Sequence, residues 1–350
     1  MKICFYTDVH WSQYSSIVRS RGTRYSKRLE NLIDSMNWVE TLAWDYGCSA
    51  VICGGDFFDS SELNCEEVSA IREIAWAPIS HIFLTGNHES SVKSLEYSTT
   101  DIFNLKENTT IIYTPQRHYM EEGDVELCFL PYITEQDRLP IFEYFGTKEH
   151  RRIIFSHNDI KDVQYGKFLS TEGFSVADIE ENCDLFLNGH IHSCTCVTDK
   201  IINAGNLTGQ NFTEDARLYE HCALIIDTSD MSVKFFKNPF ALNFYKLDAT
   251  NIEDEIDIKL LLNTLHNNSV VTVRVKQSKV DLVRGVIDSC DKNHIAEYRI
   301  VTEAEYTNIV ENDDVKKEYS NDHLSQFEDY VLSNIGDDSM TKEELSKVLG

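Results

Sequence analysis

Short, continuous apolar runs punctuate the first 240 residues, and each is closed by a polar residue capable of chemistry. Ile3 to Tyr6, Val51 to Cys53, Ile82 to Leu84, Ile153 to Phe155 and Leu185 to Leu187 do not alternate with polar positions, which is the pattern of strands buried on both faces. Between the first two runs, Leu29, Leu32, Ile33, Met36, Val39 and Ala43 recur at helical spacing and predict an amphipathic helix. Glu66 to Ala75 reads as a second helix. From about Thr110 to Phe240 the pattern shifts to hairpin-like strands, at Ile111 to Tyr113, Val125 to Leu130, Ile201-Ile202, Ala223 to Ile226 and Val233 to Phe236. Alternating strands and helices followed by a strand-rich stretch predict an α/β (α+β) fold, with two sheets packed face to face and helices outside.

Asn238-Pro239 predicts a boundary, because Pro interrupts regular structure. Beyond it Val271 to Val275 reads as a strand, Val283, Val286, Ile287 and Cys290 as a helical stripe, and Tyr298 to Val301 as another strand, a small β-α-β unit over 241–308. Between Glu311 and Gly350, 11 acidic side chains face 4 basic ones. There Leu324, Phe327, Val331 and Leu332 share a helical face, and Thr341 to Glu344 forms a capping box before Leu345, Val348 and Leu349. Helices this short need something to pack against. Leu324, Phe327, Val331, Leu345 and Val348 in 309–350 are therefore candidate partner-binding residues.

Charge narrows the function. Asp and Glu outnumber Lys and Arg by 58 to 32, a formal net charge of -26, which excludes a protein that coats nucleic acid or anionic membrane by global attraction. The segment from Trp11 to Leu29 departs from this, with Arg19, Arg21, Arg24, Lys27 and Arg28 and no acidic residue. It is a candidate contact for a DNA backbone, against the plainer reading of a solvated helix start. The ten cysteines include no C-x-x-C pair and sit mostly in apolar runs, as expected of reduced thiols. No leader or long apolar stretch is found, so a cytoplasmic, non-membrane protein is expected.

What closes the apolar runs carries the chemistry: Asp8-x-His10, Gly55-Asp56-x-x-Asp59, Gly86-Asn87-His88-Glu89, His157 and Gly189-His190-x-His192. Any one alone would more often be structural, but five at five strand ends converge on one rim of a sheet. Phosphodiester hydrolysis must bring hydroxide to an anionic phosphorus. Two divalent ions about 3.5 to 4 Å apart do this, and a shared carboxylate holds them that close. Asp56 is the candidate bridge, with Gly54-Gly55 before it permitting a tight turn. Asp8, His10 and His192 suit one ion, and Asn87, His157 and His190 the other. Mixed oxygen and imidazole ligands fit Mn, Fe or Zn better than Ca or a bare Mg site. His88 is the candidate to protonate the leaving oxygen, with Asp59 orienting it. No Ser or Cys nucleophile is in evidence, and metal-activated hydroxide is the expected attacking group.

This motif set resembles that of the calcineurin-like metallophosphoesterase superfamily, over roughly residues 1 to 240. Within it the chain is similar to SbcD-type nucleases, in particular the bacteriophage recombination endonuclease subunits: motifs that begin within ten residues of the start, a small cap and a helical tail. The resemblance implies a four-layer α-β-β-α sandwich with a capping domain that orients DNA. It also implies a tail that binds an SbcC-type SMC ATPase and a homodimer within a heterotetramer. The implied activity is a Mn-dependent 3'-to-5' exonuclease that is also an endonuclease on single strands and hairpins, serving DNA repair and recombination. It places Asp8, His10, Asp56 and His192 on one ion and Asp56, Asn87, His157 and His190 on the other, with His88 catalytic. The competing readings are a phosphoesterase acting on a small phosphodiester or a phosphoprotein, and an inactive partner-binding scaffold.

Overall fold

In a computed structural model, the structure describes residues 1–302 apart from 16–17, 92–93, 122, 166–167, 212–213, 219 and 292–293. The candidate partner-binding residues Leu324, Phe327, Val331, Leu345 and Val348 thus lie outside the described residues. The chain divides into two compact units. One comprises Met1–Lys246, Leu260–Thr272 and Ser289–Tyr298, and the other, among the described residues, Leu247–Lys259, Val273–Asp288 and 299–302.

Two six-stranded sheets form the first unit. In one, Lys2–Tyr6 lies between Cys222–Asp227 and Ala50–Cys53, followed outward by Ser80–Leu84 and Thr109–Ile112, while Ser232–Lys237 closes the opposite edge. In the other, Arg151–Ser156 and Leu185–Asn188 run parallel at the centre, flanked by Val125–Leu130 with Gln116–Met120 and by Ile201–Asn203 with Thr195–Cys196. Successive residues of one strand serve opposite layers. Ile3 and Phe5 join Ile52, Leu84, Phe129, Ile153, Phe155 and Leu187 between the sheets. Cys4 and Tyr6 instead pack under helix Lys27–Asp45 with Leu29, Leu32, Met36 and Val39. Outside the second sheet, Ile154 and Phe186 meet Ile141, Phe145 and Ile179 of two short helices. The result is the α-β-β-α sandwich, and burial on both faces explains the unbroken apolar runs.

The region after Thr110 is less hairpin-like than its sequence suggests. There 116–120 with 125–130, 164–165 with 168–169, 195–196 with 201–203 and 222–227 with 232–237 pair antiparallel, and 222–227 also pairs antiparallel with 2–6. Strands 125–130, 151–156 and 185–188 instead pair in parallel, because helices Ile141–Phe145 and Val176–Asn182 carry the crossovers. Five and seven residues are too short to show a helical period. Likewise the helix expected over 66–75 stops at Ile71. Asn37 Oδ1 accepts the amide of Ala75 and Glu40 Oε2 that of Ala77, so side chains of the neighbouring helix capture the backbone that would have continued it.

Strands Asn243–Asp248, Ser269–Val275 and Ile295–Thr302 form a three-stranded sheet in that order. Helix Val280–Asp288 follows the central strand and buries Val283, Val286 and Ile287. Strand, helix and strand fall where the periodicity of this region puts them. Strand 243–248 and helix Glu255–Leu262 are additional.

The Phe155 ring lies 5.6 Å from both Phe5 and Phe129, fully buried between the sheets. Phe155→Ala should cost about 3 to 5 kcal/mol, read as a lower urea midpoint, and an unchanged midpoint would show that the two sheets do not depend on this contact.

Candidate metal centre

Strands Lys2–Tyr6 and Ala50–Cys53 pair in parallel, and the loops leaving them stay bonded beyond the sheet: the amide of Asp8 donates to Gly55 O, His10 to Asp56 O and Trp11 to Phe57 O. That continued ladder aims three ligand candidates at one point, and the backbone bends sharply to achieve it. Asp8, His10, Asp56 and His190 all have positive φ, at 52°, 47°, 49° and 73°, a conformation costing each non-glycine residue on the order of 1 to 3 kcal/mol. Gly55 is also left-handed (φ 101°), and a Cβ there would overlap the ring of His157.

The candidate ligands fall into overlapping groups. Asp8, His10 and His192 bring ligand atoms within 4.8 Å of one another, as do Asp56, His157 and His190, and as do His10, Asp56 and His88. His10 Nε2 lies 3.1 Å from His192 Nε2, 3.7 Å from Asp8 Oδ1 and 3.9 Å from Asp56 Oδ2. His157 Nε2 lies 3.1 Å from Asp56 Oδ2, and Asn87 Oδ1 is 3.0 Å from His190 Nδ1. Asp56 therefore stands between the two halves.

Buried atoms without partners show what this arrangement fits. Asp8 Oδ1 and His157 Nε2 are buried and make no hydrogen bond. His157 Nδ1 donates to Gly54 O at 2.7 Å, which leaves Nε2 facing Asp56. His10 Nδ1 donates to Asp59 Oδ1 at 3.0 Å, which turns its Nε2 inward in the same way. Imidazoles fixed through one nitrogen, with the other turned inward beside buried carboxylates, are the donor set of a transition-metal site.

Electrostatics agree. Burial alone would raise the Asp8 and Asp56 carboxyls, but His10, His157 and their neighbours outweigh it, bringing Asp8 down to about 2 and Asp56 lower still. Burial opposes charge on the imidazoles too, yet Asp59, Asp8 and Asp56 lift His10 to about 10, and Asp56 and Asp8 lift His157 to about 9. The carboxylates thus hold protons on the imidazoles where a divalent ion would compete for the same nitrogens.

These observations, a buried carboxylate among imidazoles at the ends of five strands, fit one family. A model of the calcineurin-like phosphoesterases matches residues 1–194. The chain belongs to that family. Its members use a dimetal centre, and this phosphoesterase is a hydrolase. Among solved structures it is similar to an archaeal phosphodiesterase (14% identity, 68% of this chain and 99% of that one, TM-score 0.35). It is also similar to a Thermus thermophilus protein (10%, 67% and 98%, TM-score 0.41) and to a dimetal phosphatase from Danio rerio (11%, 68% and 98%, TM-score 0.38). No curated protein matches. Among the described residues, no helix is long and apolar enough to cross a membrane.

The structure brings Asp8, His10, Asp56, Asn87, His157, His190 and His192 together, with His88 at the solvent edge, its ring 4.7 Å from that of His10. Asp59 has a different place from the one expected. Its carboxylate bonds His10 and lies 3.9 Å from His88 Nδ1, while its backbone carbonyl is the group that accepts from His88 Nδ1, at 3.0 Å.

The basic segment also requires correction. Arg21 pairs with Glu66 at 2.6 Å and Arg24 with Glu73 at 2.7 Å, and Lys27 donates to Ala296 O at 3.1 Å and lies 3.9 Å from Glu297. Arg28 is buried, donating to Gly209 O and Val9 O. Arg19 is exposed, and no ion pair is formed by it among the described residues. Acidic partners distant in sequence thus neutralise most of what reads as a positive stretch.

Several supporting residues escape the motif reading. Thr7 Oγ1 donates to Asp8 Oδ2, and His190 N to the same oxygen. Asp159 Oδ2 is 3.3 Å from His190 Nε2, and buried Glu214 lies 3.8 Å from His192 Nδ1. Buried Glu89 accepts from Phe58 N and Gly86 N, tying the second and third motif loops together. Thr7, Asp159 and Glu89 sit within two residues of a ligand, which is a usable signal; Glu214 has none.

Metal uptake should release protons, because His10 and His157 are charged at neutral pH in the metal-free chain and must be neutral to bind. Manganese affinity is expected to rise as pH increases from about 7 toward their raised pKa values of about 10 and 9. Calorimetric titration in two buffers of different ionisation enthalpy checks this, and identical heats in both would refute it.

Proposed function

We propose that this phosphoesterase is a DNA nuclease, the catalytic subunit of an SbcCD-type repair and recombination complex acting in the cytoplasm. The observation that carries phosphodiester hydrolysis is Asp56: one buried carboxylate groups with His157 and His190 on one side and with His10 and His88 on the other, as two ions working on one phosphate require. The nucleic-acid substrate is supported by the likeness to SbcD-type nucleases, by the open setting of His88, and by the strand-helix-strand segment after the sandwich. The same likeness supports manganese as the metal, exonuclease with endonuclease action, a homodimer, and an SMC-type ATPase docked on the tail. The site is equally able to serve a small phosphodiester or a phosphoprotein, such as the phosphodiesterase and phosphatase among its structural neighbours would imply.

Bound divalent ions supply charge stabilisation for the phosphoryl group and activation of water. Asp8, His10, Asp56 and His192 would hold one, and Asp56, Asn87, His157 and His190 the other. The protein's own part falls to His88. Its amide donates to Asp56 Oδ1 at 3.0 Å and its Nδ1–H to Asp59 O, so the ring is anchored to the bridging residue's loop with Nε2 left to deliver a proton to the departing oxygen. The ring is 42% exposed, open to a leaving group as large as a nucleoside.

Purified protein with manganese should degrade labelled duplex, single-stranded or hairpin DNA faster than it hydrolyses bis(p-nitrophenyl) phosphate or a phosphoserine peptide. Absence of DNA cleavage with and without an SbcC-type partner, with either small substrate turned over, would install the alternative.

His88→Ala should lower DNA cleavage about 10²- to 10⁴-fold with manganese binding retained. It should spare the p-nitrophenyl substrate, whose leaving group departs as a stable anion. Equal losses on both would remove the acid role.

A further inference from the structure

The two ring nitrogens of His190 face different groups. Nδ1 is 3.0 Å from Oδ1 of the ligand candidate Asn87, while Nε2 is 3.3 Å from Oδ2 of Asp159, which belongs to none of the ligand groups. His10 and His157 are held the other way round, each bonded through Nδ1, to Asp59 Oδ1 and to Gly54 O. The reversal follows from the backbone. At φ 73° the amide of His190 donates to Asp8 Oδ2 at 3.0 Å, so the main chain itself stands against the centre, and the ring nitrogen nearer that main chain is the one beside Asn87.

An imidazole binds a divalent ion through the lone pair of a neutral ring, so the ligating nitrogen must carry no proton and the other must carry it. With Nδ1 on the ligand side, the proton belongs on Nε2. The competing tautomer places it on Nδ1, where it would bond to Asn87 Oδ1 and occupy two ligand atoms at once. A carboxylate is the stronger acceptor, since a hydrogen bond to a charged group is roughly twice as strong as one to a neutral amide oxygen. Asp159 therefore draws the proton away from the centre. Its main chain is fixed independently of its carboxylate: Phe174 N donates to its carbonyl at 3.1 Å, and Gly173, at φ 109°, packs so close that a Cβ there would overlap that oxygen.

We propose that Asp159 is a positioning residue of the metal centre, holding the proton on His190 Nε2 so that Nδ1 is free for the ion assigned to Asp56, Asn87, His157 and His190. It acts through His190 and touches neither ion nor substrate. The assignment rests on the dimetal reading of the site and is indifferent to which phosphodiester is cleaved.

Manganese titrated into the purified wild type should bind as two ions, read by calorimetry and as a spin-coupled pair by electron paramagnetic resonance. Asp159→Ala should weaken one of them about 10- to 100-fold while the other is retained, giving the uncoupled spectrum that His157→Ala also gives. Asp159→Asn, which keeps an acceptor oxygen, should restore the coupled pair. On bis(p-nitrophenyl) phosphate, raising manganese about 100-fold should return the kcat of Asp159→Ala to the wild-type value, and a melting curve verifies that each variant folds. Unchanged binding of both ions in Asp159→Ala, equal losses in the Ala and Asn variants, both ions weakened alike, or a kcat that stays low once both ions are bound would overturn the assignment and leave the dimetal reading intact. A wild type that binds no second ion would overturn the dimetal reading, and the assignment with it.

Discussion

The centre depends on keeping the carboxylate of Asp56 charged while almost completely buried. Its oxygens are divided between the amide of His88 and the imidazole of His157, so residues from the second, third and fourth motifs meet on one group. Burying an anion is costly unless compensating charge surrounds it. Here the compensation is a ring of imidazoles, which holds the Asp56 carboxyl far below its ordinary range despite complete burial. A pair of divalent cations would satisfy the same field more fully, because Asp8 Oδ1 and His157 Nε2, which make no hydrogen bond, belong to the ligand set.

That arrangement explains why the sandwich is built as it is. His157 ends a strand of the second sheet, and Gly54 ends a strand of the first; the 2.7 Å bond between His157 Nδ1 and Gly54 O joins the two sheets at the rim. Around it, buried asparagines finish the second sheet. Asn188 donates to Asn203 Oδ1 and accepts the amide of Asn158, whose own carbonyl oxygen accepts from Ile133. The strand ends are thereby fixed by side-chain amides where backbone pairing stops, and ligands on different strands keep their mutual distances. Left-handed backbone at Asp8, His10, Asp56 and His190 is strain that this surrounding structure sustains.

The chain's strong negative charge and the chemistry of phosphate cleavage are reconciled locally. Arg21 and Arg24, which look available in sequence, are tied to Glu66 and Glu73, and exposed pairs of that kind present little net charge to a polyanion. Attraction for a phosphate group would come instead from divalent ions held by the metal-ligand candidates.

Much of this was legible in the linear sequence. Strands buried on both faces must be apolar throughout, so the central strands and the motifs at their ends are visible as runs, and ligands two residues apart, as in Asp8-x-His10 and His190-x-His192, report a chain leaving a strand. Parallel pairing after Thr110 was not legible, because the crossover helices are shorter than the period that would reveal them. Nor was the end of the helix at Ile71, fixed by Asn37 and Glu40 from another helix. The sequence by itself determined which residues can bind metal and which elements deliver them, since those depend on local periodicity and side-chain chemistry. Only the tertiary structure decided that Asp59 serves His10, that Glu214 backs His192, and that Arg28 lies buried beside the centre while its neighbours are neutralised. Each of those outcomes rests on a contact between residues far apart in the chain, and no local pattern records such a contact.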